Sequence, residues 1–113
     1  MITIEQLKEI QQRADKLKQY LAIDEKRVQL EEEELRTQDP GFWEDAKAAE
    51  AQMRKVKGIK AWIEGYEGVR AATEELQLAF DYCKEELVTE DEVDAAYAHA
   101  IKEVEALEMK NML

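Results

Sequence analysis

The sequence predicts an all-α fold: an antiparallel helical bundle or long helical hairpin with a coiled-coil-like seam. Three observations predict it. More than half of the 113 residues are Ala, Glu, Lys, Leu or Arg, the composition of long helices and coiled coils. The chain has one Pro, four Gly and no Ser, too few turn formers for a β-rich fold. Its apolar residues recur at steps of three and four, which puts them on one side of a helix. A chain of this length makes one domain, residues 1–113, and can bury roughly two thirds of its unfolded surface. Numerous, periodic apolar residues argue against disorder.

The first helix starts at Thr3. Its hydroxyl can accept from the Gln6 N–H while the Gln6 side chain returns a bond to Thr3, a capping box. Ile2 and Leu7 flank it at the spacing of a hydrophobic staple. Leu7, Ile10, Ala14, Leu17 and Leu21 then form one stripe. Asp24 is the next candidate cap, with Ile23 and Val28 around it and Val28 and Leu35 continuing an apolar face. The first helix either breaks near residues 21–24 or runs straight on, since no Gly or Pro forces a break. Glu31 to Glu34 read as a solvated face.

Thr37-Gln38-Asp39-Pro40-Gly41 turns the chain: Pro40 lacks an N–H and Gly41 tolerates positive φ. Phe42 and Trp43 follow. They either plug the end of the bundle or form a spot for a partner. If Trp43 is buried, Trp43→Ala should cost about 3–5 kcal/mol; unchanged stability would mark a contact site.

A long helix is expected from Glu44 or Asp45, whose acids suit a helix N-terminus. Met53, Val56, Ile59, Ile63 and Tyr66 begin its face. Tyr66, Val69, Thr73, Leu76, Phe80, Cys83 and Leu87 step by three and four as a heptad seam. Gly58, Gly65 and Gly68 each weaken it by roughly 1 kcal/mol relative to Ala. One long helix, bent or straight through Gly65–Gly68, is favoured over a break; unbroken, it has ~44 residues and extends ~65 Å. Val88-Thr89-Glu90-Asp91-Glu92-Val93 repeats the capping box and staple. The last helix then carries Val93, Tyr97, Ala100, Ile101, Val104 and Leu107 on one face and returns antiparallel to its predecessor.

Charge narrows the function classes. Sixteen basic residues against 27 acidic ones give a net charge of −11. Nucleic acid is held by clustered Lys and Arg that release counterions, so independent nucleic-acid binding is not expected. Basic protein partners suit this field. The N-terminus lacks a secretory pattern, no apolar run is long enough for a membrane, and a single Cys83 suits a reducing compartment; a cytoplasmic location follows. Catalytic and metal chemistry is not expected, and no cofactor is called for. The absence of Ser removes one nucleophile, and no phosphate cradle or calcium loop is present. His99 stands alone, without a Glu-x-x-His pairing. Cys83 falls in the seam and reads as a buried small hydrophobe. A metal-bundle enzyme rests on His99 and the acids alone. The closing Met109-Lys110-Asn111-Met112-Leu113 looks like a cut at a domain boundary.

Three stretches carry a family resemblance: Leu17-Lys18-Gln19-Tyr20-Leu21-Ala22-Ile23-Asp24, Lys26-Arg27-Val28-Gln29-Leu30-Glu31-Glu32, and Asp39-Pro40-Gly41-Phe42-Trp43. Together with the acidic break at Glu90-Asp91-Glu92 and the later Glu103-Val104-Glu105-Ala106-Leu107-Glu108, their order resembles the N-terminal domain of bacterial class I peptide chain release factors. The likeness covers essentially the whole chain. It implies a helical domain from a longer factor that directs translation termination by triggering peptidyl-tRNA hydrolysis, in the subtype that reads UAA and UGA. The codon-reading Ser-Pro-Phe and hydrolytic Gly-Gly-Gln tripeptides of such factors are absent here, so the resemblance assigns no catalytic residue. It implies two partners: the ribosome, at the large-subunit stalk base, and the recycling GTPase release factor. A free-standing coiled-coil adaptor or oligomeriser is the alternative, motivated by the seam. An intramolecular bundle would be a monomer; an open hairpin would pair into a dimer.

Overall fold

The computed structural model describes residues 1–113 and is all-α. Four helices form: α1 (Ile4–Tyr20), α2 (Ile23–Arg36), α3 (Ala46–Lys84) and α4 (Glu90–Met112), with a 3₁₀ turn at Phe42–Glu44 between α2 and α3. No helix is long and apolar enough to cross a membrane. The chain divides into two compact units. One comprises Met1–Leu21 and Tyr66–Leu113; the other is Ala22–Gly65.

Both capping boxes form. Thr3 accepts from the Gln6 N–H and Gln6 returns the bond; Thr89 and Glu92 do the same at α4. Each satisfies two N–H groups that the first helical turn would leave unpaired.

In the first unit α1 and α4 run side by side in the same direction. The Met1 ammonium meets Asp94 at 3.0 Å, and Arg13 grips Glu108 through two bonds of 2.6 and 3.1 Å. The C-terminal part of α3 runs opposite to both. Gln11 of α1 bonds Gln77 at 2.6 Å, and Gly68 of α3 lies against the Glu103 carboxylate of α4. The stripe Leu7, Ile10, Ala14, Leu17 and Leu21 is buried along its whole length. So are Tyr66, Val69, Thr73, Leu76 and Phe80 of the seam, Ala72 beside it, and Val93, Ala100, Val104 and Leu107 of α4. Thr73 is tolerated inside because its hydroxyl donates to the Val69 carbonyl at 3.0 Å.

The seam ends sooner than its spacing suggests. Cys83 is only half-buried, and Leu87 is 70% exposed. The reason is a helix stop: the Leu87 N–H bonds the Tyr82 carbonyl and the Glu86 N–H the Cys83 carbonyl, a Schellman closure. Glu86 takes the left-handed conformation there, at φ 59°. The helix is continuous through Gly65 and Gly68.

The second unit is an α2–α3 hairpin with a thin core of Ile23, Ala49, Val56 and Ile59. Between α1 and α2 the chain does break. Ala22 adopts φ 50°, the left-handed region, and serves as the backbone cap of α2 without a side-chain bond. Asp24 is therefore not the cap; it sits in the first turn and pairs with Arg27 at 3.2 Å. α3 starts at Ala46, where the Asp45 carboxylate accepts from the Ala48 N–H at 3.1 Å. Met53, expected on the inner face, is exposed.

Candidate functional site

The functional candidates are surfaces, not clefts. Phe42 and Trp43 lie in the α2–α3 connection of the second unit. The Asp39 carboxylate accepts from the Gly41 N–H at 3.0 Å, and the Asp39 carbonyl accepts from Phe42 at 2.9 Å. This Asx-type turn launches the 3₁₀ turn that carries both rings. The rings meet edge to face, with centroids 4.6 Å apart and planes at 86°. Phe42 is half-buried, but Trp43 is 67% exposed. Trp43 thus plugs no core: its ring leans on Phe42 and shows its other face to water.

The same unit buries a carboxylate where a solvated face was expected. Glu33 is 6% exposed, while Glu31 and Glu32 remain in solvent. The Gln52 amide donates to the Glu33 carboxylate at 2.7 Å and to its carbonyl at 2.9 Å. The Lys55 ammonium approaches at 3.2 Å and the Arg36 guanidinium at 3.7 Å. The Gln52 bond, then Lys55 and Arg36, hold the Glu33 carboxyl below the ordinary glutamate range, against the opposing effect of burial. This cluster ties α2 to α3.

The inward face of α2 explains why its apolar pattern misleads. Ile23, Lys26, Leu30 and Glu33 follow one another at steps of three and four, and all are buried or half-buried. At 100° per residue, Val28 and Leu35 fall on roughly the opposite side. They are 58% and 61% exposed. Leu30 and Leu35 line a shallow groove with Arg27, Glu31, Glu34 and Gln38. The expectation that Val28 and Leu35 continue the core face is therefore corrected. The signal was present: α2 carries two apolar pairs on opposed sides, and one must face out.

In the first unit a second open groove lies along Arg13, Lys16, Leu17, Tyr20, Asn111 and Met112. Tyr20 and Met112 are largely exposed there. Glu108, bonded to Arg13, raises the Arg13 pKa further. His99 is exposed on α4, beside a groove with Glu75, Ala79 and Ala95. No group of three or more His, Cys, Asp or Glu side chains is placed to hold a metal ion.

An acidic, all-α chain with open grooves and outward apolar side chains offers broad surfaces for contact. The chain is similar to peptide chain release factor 2 of Pseudoalteromonas translucida (strain TAC 125), 30% identical over 113 residues, covering 96% of this chain and 30% of that protein. The chain thus spans less than a third of the length of that relative. No family model matches the sequence, and no solved structure matches it.

Proposed function

We propose that this chain acts in translation termination as a helical interaction domain of the peptide chain release factor 2 kind, corresponding to the N-terminal domain of such factors. The observation that carries this reading is the similarity to release factor 2 along 96% of the chain. Codon reading at UAA and UGA and the triggering of peptidyl-tRNA hydrolysis belong, in this reading, to parts of a factor that this chain does not contain. Its own contribution is non-catalytic: contact with the large-subunit stalk base, with the recycling GTPase release factor, or with both, in the cytoplasm. The net charge of −11 supports protein rather than RNA as the surface it meets. Phe42 and Trp43, packed edge to face on the 3₁₀ turn, are the side chains proposed for contact.

The test uses ribosomal termination complexes. The 113-residue chain alone should release no peptide. Grafted in place of the matching third of release factor 2, it should restore termination well above the level of a factor lacking that third. A graft no better than the deletion would overturn the reading.

A further inference from the structure

The outward side of α2 has an apolar pair without a covering element. Val28 and Leu35 stand seven residues apart, two turns along one side of the helix, and both are more than half exposed. Leu35 also borders the shallow groove, with Arg27, Glu31 and Glu34. Residues seven apart on one side form the repeat onto which a second helix packs. Charge selects that helix. Glu31 and Glu32 are exposed on this side of α2; Glu34, which flanks the groove, already pairs with Lys60 at 3.4 Å. The one cation lining the groove, Arg27, is paired with Asp24 at 3.2 Å. A second copy would bring the same carboxylates face to face, and each copy carries a net charge of −11; like charges at close range oppose that pairing. A helix with a leucine-type stripe and lysine or arginine flanks would bury Val28 and Leu35 and pair with the glutamates.

We propose that the outward face of α2, centred on Val28 and Leu35, is a docking surface for a basic amphipathic helix of a partner protein. The proposal stands on this face alone and does not depend on the part the chain plays in termination.

A three-heptad probe peptide tests it, with Leu at the a and d positions and Lys and Ala elsewhere. Titration of the full chain, followed by fluorescence anisotropy of the labelled peptide, should show saturable binding that weakens as salt rises. The same peptide with Glu in place of Lys should not bind. Val28→Asp with Leu35→Asp should weaken binding at least about tenfold, since each lost apolar contact is worth roughly a factor of ten. Leu87→Asp, an equally exposed leucine in the other unit, should leave binding unchanged. Helical circular dichroism verifies that the variants fold, and Leu35→Gln gives a milder version should the double variant fail. The proposal is overturned by absence of saturable binding or by equal loss with Leu87→Asp. It is equally overturned if the chain sediments as a dimer that Leu35→Gln dissociates, because the occupant is then a second copy.

Discussion

The two units solve the same packing problem with different materials. In Met1–Leu21 with Tyr66–Leu113, three helical stretches each contribute an apolar stripe, and the buried set is apolar apart from Thr73. In Ala22–Gly65 the buried set is four apolar residues and the charged Glu33, while Val28, Leu35, Met53 and Trp43 face outward. A helix that turns apolar side chains to water while burying a carboxylate is not optimised for its own core. Both units also show apolar side chains to water, Tyr20, Leu87 and Met112 in the first and Val28, Leu35 and Trp43 in the second, so the units differ in what their cores are made of and not in having exposed apolar surface.

This contrast is broken or sharpened first by truncating matched side chains. Leu76 is fully buried in the first unit. Leu76→Ala removes its packing and leaves a cavity, at a cost of about 2–5 kcal/mol. Val28→Ala, in the second unit, removes an exposed side chain and should change stability by no more than about 0.5 kcal/mol. Urea unfolding followed by helical circular dichroism measures both. A comparable loss for the two variants would mean that Val28 is covered and that the contrast is false.

The buried carboxylate gives the next test, on the acid side. Glu33 has its folded-state pKa lowered by Gln52, Lys55 and Arg36. Its stabilising effect is complete above the unfolded pKa of about 4.3 and fades as pH falls through the depressed folded value. Glu33→Gln retains an acceptor for Gln52 but no charge. The variant should be less stable at neutral pH and should lose less of its remaining stability on acidification. Thermal unfolding across the acid range reads the difference in slope. An identical slope in both proteins would remove Glu33 from any role in holding α2 to α3.

How much of this could be read from the chain depends on what each element buries. The α1 stripe was legible residue by residue, because its inward positions are all apolar and its cap is a Thr with a Gln three residues on. The second capping box at Thr89 was legible for the same reason. α2 was not. Its inward face mixes Ile23 and Leu30 with Lys26 and Glu33, so hydrophobic periodicity alone picks the wrong side. A break near residues 21–24 was one of two open readings; nothing singled out Ala22 as its left-handed residue, because that conformation usually announces itself with Gly or Asn. Of the candidate site, Phe42 and Trp43 were noticed for their size; their exposure depends on how far the 3₁₀ turn lifts them, which residue type does not encode.

Backbone positions give smaller, opposite effects. Glu86 closes α3 at φ 59°, where a Cβ is strained by roughly 1–2 kcal/mol. Glu86→Gly relieves that strain but adds freedom to the unfolded chain, so a net gain of under about 1 kcal/mol is expected. Gly58 lies in the middle of α3 in the second unit, and a Cβ built there meets nothing within 4 Å. Gly58→Ala should therefore stabilise by about 0.5–1 kcal/mol. Chemical denaturation measures both gains. A loss at Gly58→Ala would show that the exposed side of the second unit is already packed against something.

The smallest expected effect is the most informative. Trp43 has one face against Phe42 and the rest in water. Trp43→Ala forfeits that single edge-to-face contact, worth about 0.5–1.5 kcal/mol when fully buried and less here. Stability should fall by under about 0.5 kcal/mol, the range of ordinary surface substitutions. A large exposed indole is the side chain type that dominates binding when a partner desolvates it. If the chain serves termination by contact, Trp43→Ala in the grafted release factor should depress release while the unfolding curve of the isolated chain stays put. A loss of several kcal/mol in that curve would instead place the indole inside a core and return Phe42 and Trp43 to a purely structural role.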